Sequence, residues 1–528
     1  MLEATLAILN AHVVTLNSTQ PKAESIAVCN EKIIAVGSNR QIQKYISKAT
    51  RVIDAKNKTV VPGLNDCHVH MTGFGQFLQT LELRDVKSIN QLQTKLRKYA
   101  ETQPKRAWIL GGRWDQEKLV EKRYPTCHDL DAAVSDRPVF LVRVCGHIGV
   151  ANSKALQMAG ITKQTAFEGG KADLEAKTGE PNGLLRENAL GLVWKAIPKP
   201  SQEKLENACI LACKKAVEAG LTCVHWIIGS RKEIDIICRL DSNGKLPLRV
   251  YLGIPVEHLD SLIDLGLPTC FGSDMVKIGF VKILADGSLG GHTAALKEPY
   301  SDKPETCGIM LYSEKELDKL VQKAHNAGLQ LAVHAIGDYA VEVVLNAYEK
   351  ALKECPKKDH RHRIEHCSVL NSKLIKRMKE LGLVASVQPH FVVSDFWVTD
   401  RVGKTRARWV YPFKTLLQEG LTVVSGSDCP VEPISPILGI WAAAERKSFP
   451  RERLAIIEAL KTYSLNAAYA SFDEDKRGKI EVGKLADLTM LSSDLLNIPS
   501  DDIKLTKVEM TIVNGKTVYS RSHVKKKL

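Results

Sequence analysis

The chain has no C-x-x-C pair among its 13 cysteines, which removes the usual signal for a zinc ribbon or a thioredoxin-like redox site. It has no apolar run long enough to cross a bilayer, so no membrane partner is expected. Glu3 interrupts the alternating first residues, and a secretory leader is not expected there. No G-x-G-x-x-G follows the apolar stretch around residue 60, so the fingerprint of a dinucleotide-binding sheet is missing. Positive charge is in excess, 74 Lys+Arg against 60 Asp+Glu for a net +14, but it is spread along the whole chain. The one basic run is the terminal "SHVKKKL". With no recognisable binding module beside it, that balance does not indicate nucleic acid. Cysteines in apolar runs, such as Cys223 in "LTCVHW", behave as small hydrophobes. They fit a reducing compartment, and a cytoplasmic location is expected.

What is present is ordinary globular material: 528 residues, 44% hydrophobic and 25% charged, enough for a large core. Both ends read as strands. "ESIAVCNEKIIAVGS" carries Asn30-Glu31 at a turn, and "KVEMTIVNGKTVYS" carries Asn514-Gly515 between apolar runs, a strong hairpin signal. Neither end has strands enough to bury a core alone, so residues 1–60 and 478–528 are expected to form one small β-sandwich together.

Residues 61–477 alternate helix and strand. In "SEKELDKLVQKAHNAGLQLAVHAIGD", Ser313 and Glu316 form a capping box, Leu317, Leu320, Val321 and Ala324 share a helical face, and Gly328 ends the helix. A short apolar strand follows and finishes on a polar residue. The same grammar recurs in "ACKKAVEAGLTCVHWIIG", "IKRMKELGLVASVQPHF" and "TLLQEGLTVVSGSDCP". Repeated units of this kind predict an α/β fold, a TIM-like (β/α)8 barrel whose site is built where the strands end. An open doubly wound sheet is the alternative. Residues from about 74 to 200 break the rhythm and are too long for one loop, so an insertion with its own structure over the barrel mouth is expected.

"VVPGLNDCHVH", residues 60–70, sets His68 and His70 two apart, on one side of a strand. Polar residues at the other strand ends are Lys282, His334, His366 and Asp428. Imidazole nitrogen and carboxylate oxygen suit zinc and similar metals, and the set is larger than one tetrahedral ion needs. Two ions, or one ion and a base, would use it. Lys282 stands in apolar "FVKILA". A buried, neutral lysine amine can combine with carbon dioxide to give a carbamate with two ligand oxygens.

These pieces resemble the amidohydrolase superfamily, and within it the branch that includes N-substituted formamide deformylase and the YtcJ-like proteins. The resemblance runs through "VVPGLNDCHVH", "VKILADGSLGGHTAAL", "LAVHAIGD", "RIEHC", "SVQPHF", "SGSDCPV" and "GKLADLTML", and through "GHIGVANSKAL" in the insertion. It implies hydrolysis of a carbon–nitrogen bond, in an amide, a cyclic amide or a related group, at a site holding one or two divalent ions, zinc being the expected metal. His68 and His70 would hold the first ion, Lys282 as a carbamate would bridge, His334 and His366 would hold the second, and Asp428 would be ligand and general base. Candidate substrate contacts are His147 and Trp114 in the insertion, with Arg113 and Asn152 nearby in sequence, and His390 and Trp226 in the barrel. His225-Trp226 departs from the His-Asp that relatives often carry at the second strand end. An ester hydrolase, a metal-dependent isomerase or decarboxylase, and an inactive binding protein are the alternatives on the same barrel. A small-molecule substrate and a homodimer are expected.

Overall fold

In the computed structural model, which describes residues 3–144, 146, 148–167 and 170–521, eight parallel strands pair in chain order. They are β1 (Leu64–Val69), β2 (Leu221–Ile227), β3 (Arg249–Pro255), β4 (Val276–Leu284), β5 (Gln330–Ala335), β6 (Arg363–His366), β7 (Val384–Val387) and β8 (Thr422–Ser425). The sheet curls back on itself just past the last strand: Val69 bridges Cys429, Asp428 N–H donates to His68 O at 2.7 Å, and His70 N–H donates to Cys429 O at 2.8 Å. Every residue of β1, β2, β6 and β7 is buried, as a parallel sheet covered on its outer face and filled inside requires.

The helices between strands follow the pattern read above. Helix Glu314–Asn326 is closed at its start by the reciprocal Ser313–Glu316 bonds and buries Leu317, Val321 and Ala324. Gly328, at φ +78°, then takes the left-handed turn that a side chain would resist, and β5 begins two residues later.

The termini meet. Thr59–Pro62 pairs antiparallel with Leu488–Leu491, Leu488 facing Pro62, within a six-stranded sheet. Leu6–Leu9 lies in a four-stranded sheet. Ile8, Ile26 and Val28 from that sheet and Val60, Leu488 and Ile512 from the other share one core cluster. Asn514 and Gly515 turn the last hairpin with φ values of 50° and 71°, the positive pair that a two-residue turn of this kind needs.

Residues 72–211 form a separate compact unit with its own six-stranded sheet. Its limits are wider than 74–200: it begins just after the barrel's first histidines and ends inside helix Gln202–Glu218, which leads into β2.

Candidate metal centre

His68 and Asp428 stand at the two strand ends where the barrel closes, with His70 just beyond. His68 Nε2 is 3.4 Å and His70 Nε2 3.3 Å from the same oxygen, Asp428 Oδ1. Ligand atoms of the three lie within 4.8 Å of one another. Asp428 sits at φ +55°, in the left-handed region, which aims its carboxylate at the two rings. Burial alone would push its carboxyl up. The neighbouring His68 and His70 imidazoles and the Lys282 amine outweigh that and leave it below the ordinary carboxylate range. The turn-forming task is done by Asp66 instead: its Oδ1 accepts the N–H groups of His68 (3.1 Å) and Ser427 (2.9 Å), and its Oδ2 the Ser427 hydroxyl at 2.5 Å.

Below this trio lies a buried polar network that sequence reasoning missed. His68 Nδ1 donates to Glu365 Oε2 at 2.5 Å, which turns Nε2 toward Asp428. Glu365 Oε2 also accepts the Ser386 hydroxyl at 2.7 Å, and its Oε1 lies 2.8 Å from Arg363 Nη2. Arg363, wholly buried, donates further to Cys67 O and to His225 Nδ1, at 2.6 and 2.8 Å. A carboxylate behind a metal-binding histidine fixes the tautomer and raises ligand basicity. The only signal in the sequence was an acid between two apolar-flanked residues of "RIEHC".

Neighbouring residues of a strand point to opposite faces, yet Glu365 and His366 both face the barrel interior. The reason is local: His366 turns to φ +74°. Its ring lies 4.9 Å from that of His68 and 4.4 Å from that of His334, centre to centre. Burial above all, with Lys282 and the His334 and His68 rings as neighbours, keeps His366 well below its ordinary pKa, and its buried Nδ1 has no partner among the described residues. Burial, and next the Lys282 charge, likewise keep His68 neutral.

Lys282 is 5% exposed, its Nζ has no hydrogen-bond partner among the described residues, and burial pushes its pKa down to about 8, with Glu365 and Asp428 partly opposing. A buried, unpaired amine of this kind, beside an unpaired imidazole nitrogen, fits the donor set of a cation site better than that of a packed core. His334 is differently placed. Its Nε2 donates to Gly287 O at 3.0 Å and lies 3.3 Å from Asp286, a buried carboxylate that already accepts three backbone amides. His68, His70 and Asp428 thus bring two imidazole nitrogens and a carboxylate oxygen close enough together to hold one divalent ion. His334 and His366 adjoin it without joining that group.

The expected substrate contacts fare unevenly. Trp226 and Trp114 have no exposed surface, so neither offers a face to a ligand. Trp114 belongs to the core of the 72–211 unit and donates Nε1–H to Leu141 O at 3.0 Å. Asn152 is a buried helix cap whose amide bonds Val139, Ala155, Val134 and Arg137 backbone groups. Arg113 lies over the Phe77 ring at 3.6 Å. These are packing roles, and for Trp226 the apolar Ile227 and Ile228 that follow it were the clue. His147 lies outside the described residues. His390 remains partly open, with its Nδ1 held at 2.5 Å by Glu432.

Comparison with known proteins agrees with this geometry. The profile of the amidohydrolase family matches residues 51–519. The chain is 36% identical to the putative amidohydrolase YtcJ of Bacillus subtilis (strain 168), over 97% of this chain and 98% of that one. It is 26% identical to the N-substituted formamide deformylase of Arthrobacter pascens, over 98% of each. The crystal structure of an uncharacterised metal-dependent hydrolase from Pyrococcus furiosus superimposes with a TM-score of 0.78 at 33% identity, covering 93% of this chain and 100% of that one.

Proposed function

This chain belongs to the amidohydrolase family of metal-dependent hydrolases, and from that premise we propose that it cleaves a carbon–nitrogen bond of an amide, a cyclic amide or a related small molecule. The observation that carries the reading is the shared reach of His68 and His70 to one oxygen of Asp428. His68, His70 and Asp428 would hold a divalent ion, zinc by the chemistry of the donor set, and Lys282 as a carbamate with His366 and His334 would hold a second. When bound, such an ion lowers the pKa of a coordinated water to about 7 and polarises the substrate carbonyl.

The chain's own groups do the proton work. Asp428, held below the ordinary carboxylate range, is ionised at neutral pH and accepts the proton of the attacking water at a carboxylate oxygen. As the new C–O bond forms and the C–N bond breaks, the same carboxyl returns that proton to the leaving nitrogen. Glu365 holds the His68 ring in register throughout. The neutral imidazoles of His68 and His366 keep their lone pairs available for ligation.

The test is elemental analysis of protein purified without chelator, paired with amine or ammonia release from N-alkylformamides and cyclic amides. Bound zinc together with release that disappears on chelation and returns on reloading is the expected result. Protein that takes up no divalent ion and hydrolyses none of these probes would sink the reading.

A further inference from the structure

Gln388 immediately follows β7, is 2% exposed, and neither its Oε1 nor its Nε2 has a hydrogen-bond partner among the described residues. A buried carboxamide with every donor and acceptor unused costs stability, and such groups are rare unless something else uses them. Its position says what. Ser386, two residues earlier, points into the barrel, where it bonds Glu365 and Arg363. Residues two apart on a strand share a face, and β7 still pairs at Val387, whose carbonyl accepts Gly426 N–H at 2.9 Å. Gln388 therefore stands on the inward face, one step nearer the mouth than the Glu365–Ser386 level. Continued past Glu365–Ser386 and Val387–Ser425, the strand register sets Gln388 opposite Cys367 and Gly426, next to His366 at the turned end of β6 and two residues before Asp428 beyond β8.

We propose that Gln388 is a substrate-binding residue that reads the amide edge of a cyclic imide or cyclic ureide. The proposal rests on the hydrolase reading of the same site and narrows its substrate class. A carboxamide presents one acceptor and two donors side by side. Its full complement is a group with C=O and N–H on one edge, as a cis amide locked in a ring has. An open-chain secondary amide, being trans, points the two apart and can satisfy only one. A ring with two adjoining amides can have one carbonyl attacked while its remaining edge pairs with Gln388. Unpaired polar groups of this kind also reject analogues that lack the matching edge.

The experiment compares full-length, metal-loaded wild type with Gln388→Met, which keeps length and removes all hydrogen bonding, and Gln388→Glu, which keeps shape and removes the donors. The probes are succinimide and hydantoin, with an N-alkylformamide as the control. Succinimide is expected to raise the melting temperature of wild type and to leave both variants unshifted. Where the ring probes are turned over, KM should rise at least tenfold in the variants with a smaller change in kcat, while KM for the formamide stays within about threefold. Without ligand, Gln388→Met should melt at or above wild type, since it deletes buried groups that make no bond. The thermal-shift reading does not depend on turnover, so absent hydrolysis would count against the proposed activity alone. Succinimide shifting all three proteins equally or none of them, or Gln388→Met melting several degrees lower, overturns the proposal.

Discussion

His68 Nδ1 lies 2.5 Å from Glu365 Oε2, and neither side chain is more than 1% exposed. A neutral imidazole has one N–H, so this contact decides which nitrogen is left with a lone pair, and it is the one that faces Asp428. Removing such a partner typically costs 10- to 100-fold in metal affinity. Glu365→Gln should therefore bind zinc at least tenfold more weakly, measured by competition with a chelator on protein shown to be folded. Unchanged affinity would separate Glu365 from the site.

The Lys282 amine, with a pKa near 8, is neutral in about a tenth of molecules at pH 7, far more than an exposed lysine. Protein loaded with zinc in 13C-bicarbonate should show a carbamate carbon resonance, and Lys282→Ala should lose it together with part of the metal and most of the activity. Added formate or acetate should restore some of both. A lysine that stays an ammonium in the zinc-loaded protein would leave a one-ion site of His68, His70 and Asp428.

Asp428 makes side-chain contacts to two imidazoles, while the turn amides are served by other groups: Ser427 N–H by Asp66, Cys429 N–H by the Ser427 hydroxyl and Asp428 N–H by His68 O. Asp428→Asn keeps size and one ligand oxygen but cannot take a proton. It should melt close to wild type, retain most of its metal, and lose about 10² to 10⁴ in kcat. Near wild-type turnover per folded molecule would remove Asp428 from proton transfer.

Away from the metal ligands, burial pushes the Asp395 carboxyl up to about 7, with Tyr411 O–H, donating at 2.5 Å, opposing and Glu432 adding to the rise. The folded state then holds a proton that the unfolded chain has released, between the unfolded value near 4 and about 7. The associated stability is complete below that window and is lost as pH rises through 7. The melting temperature of wild type minus that of Asp395→Asn should accordingly fall from pH 5 to pH 7.5 and level off above. A difference that does not vary with pH would show that Asp395 is already ionised across the range.

The sequence alone determined the repeating β-α grammar, because local rules write it: a capping box at Ser313 and Glu316, a one-sided apolar face, a glycine stop at Gly328, then a short apolar strand. It also determined the sandwich, since strands at both ends had no core of their own, and it singled out His68, His70 and Asp428, which the structure brings together, since the polar residue closing each apolar strand is visible in the string. Only the tertiary structure decided what meets what. Glu365 reaches His68 across 297 residues of chain, and Arg363 reaches Cys67 across 296. No local pattern encodes such a distance. Trp114 and Trp226, read as pocket residues from their motifs, are core because neighbouring elements cover them. Gln388 reads in sequence as one polar residue before a proline. Its significance comes from being enclosed with no side-chain hydrogen-bond partner among the described residues, a property of the surrounding strands rather than of its own segment.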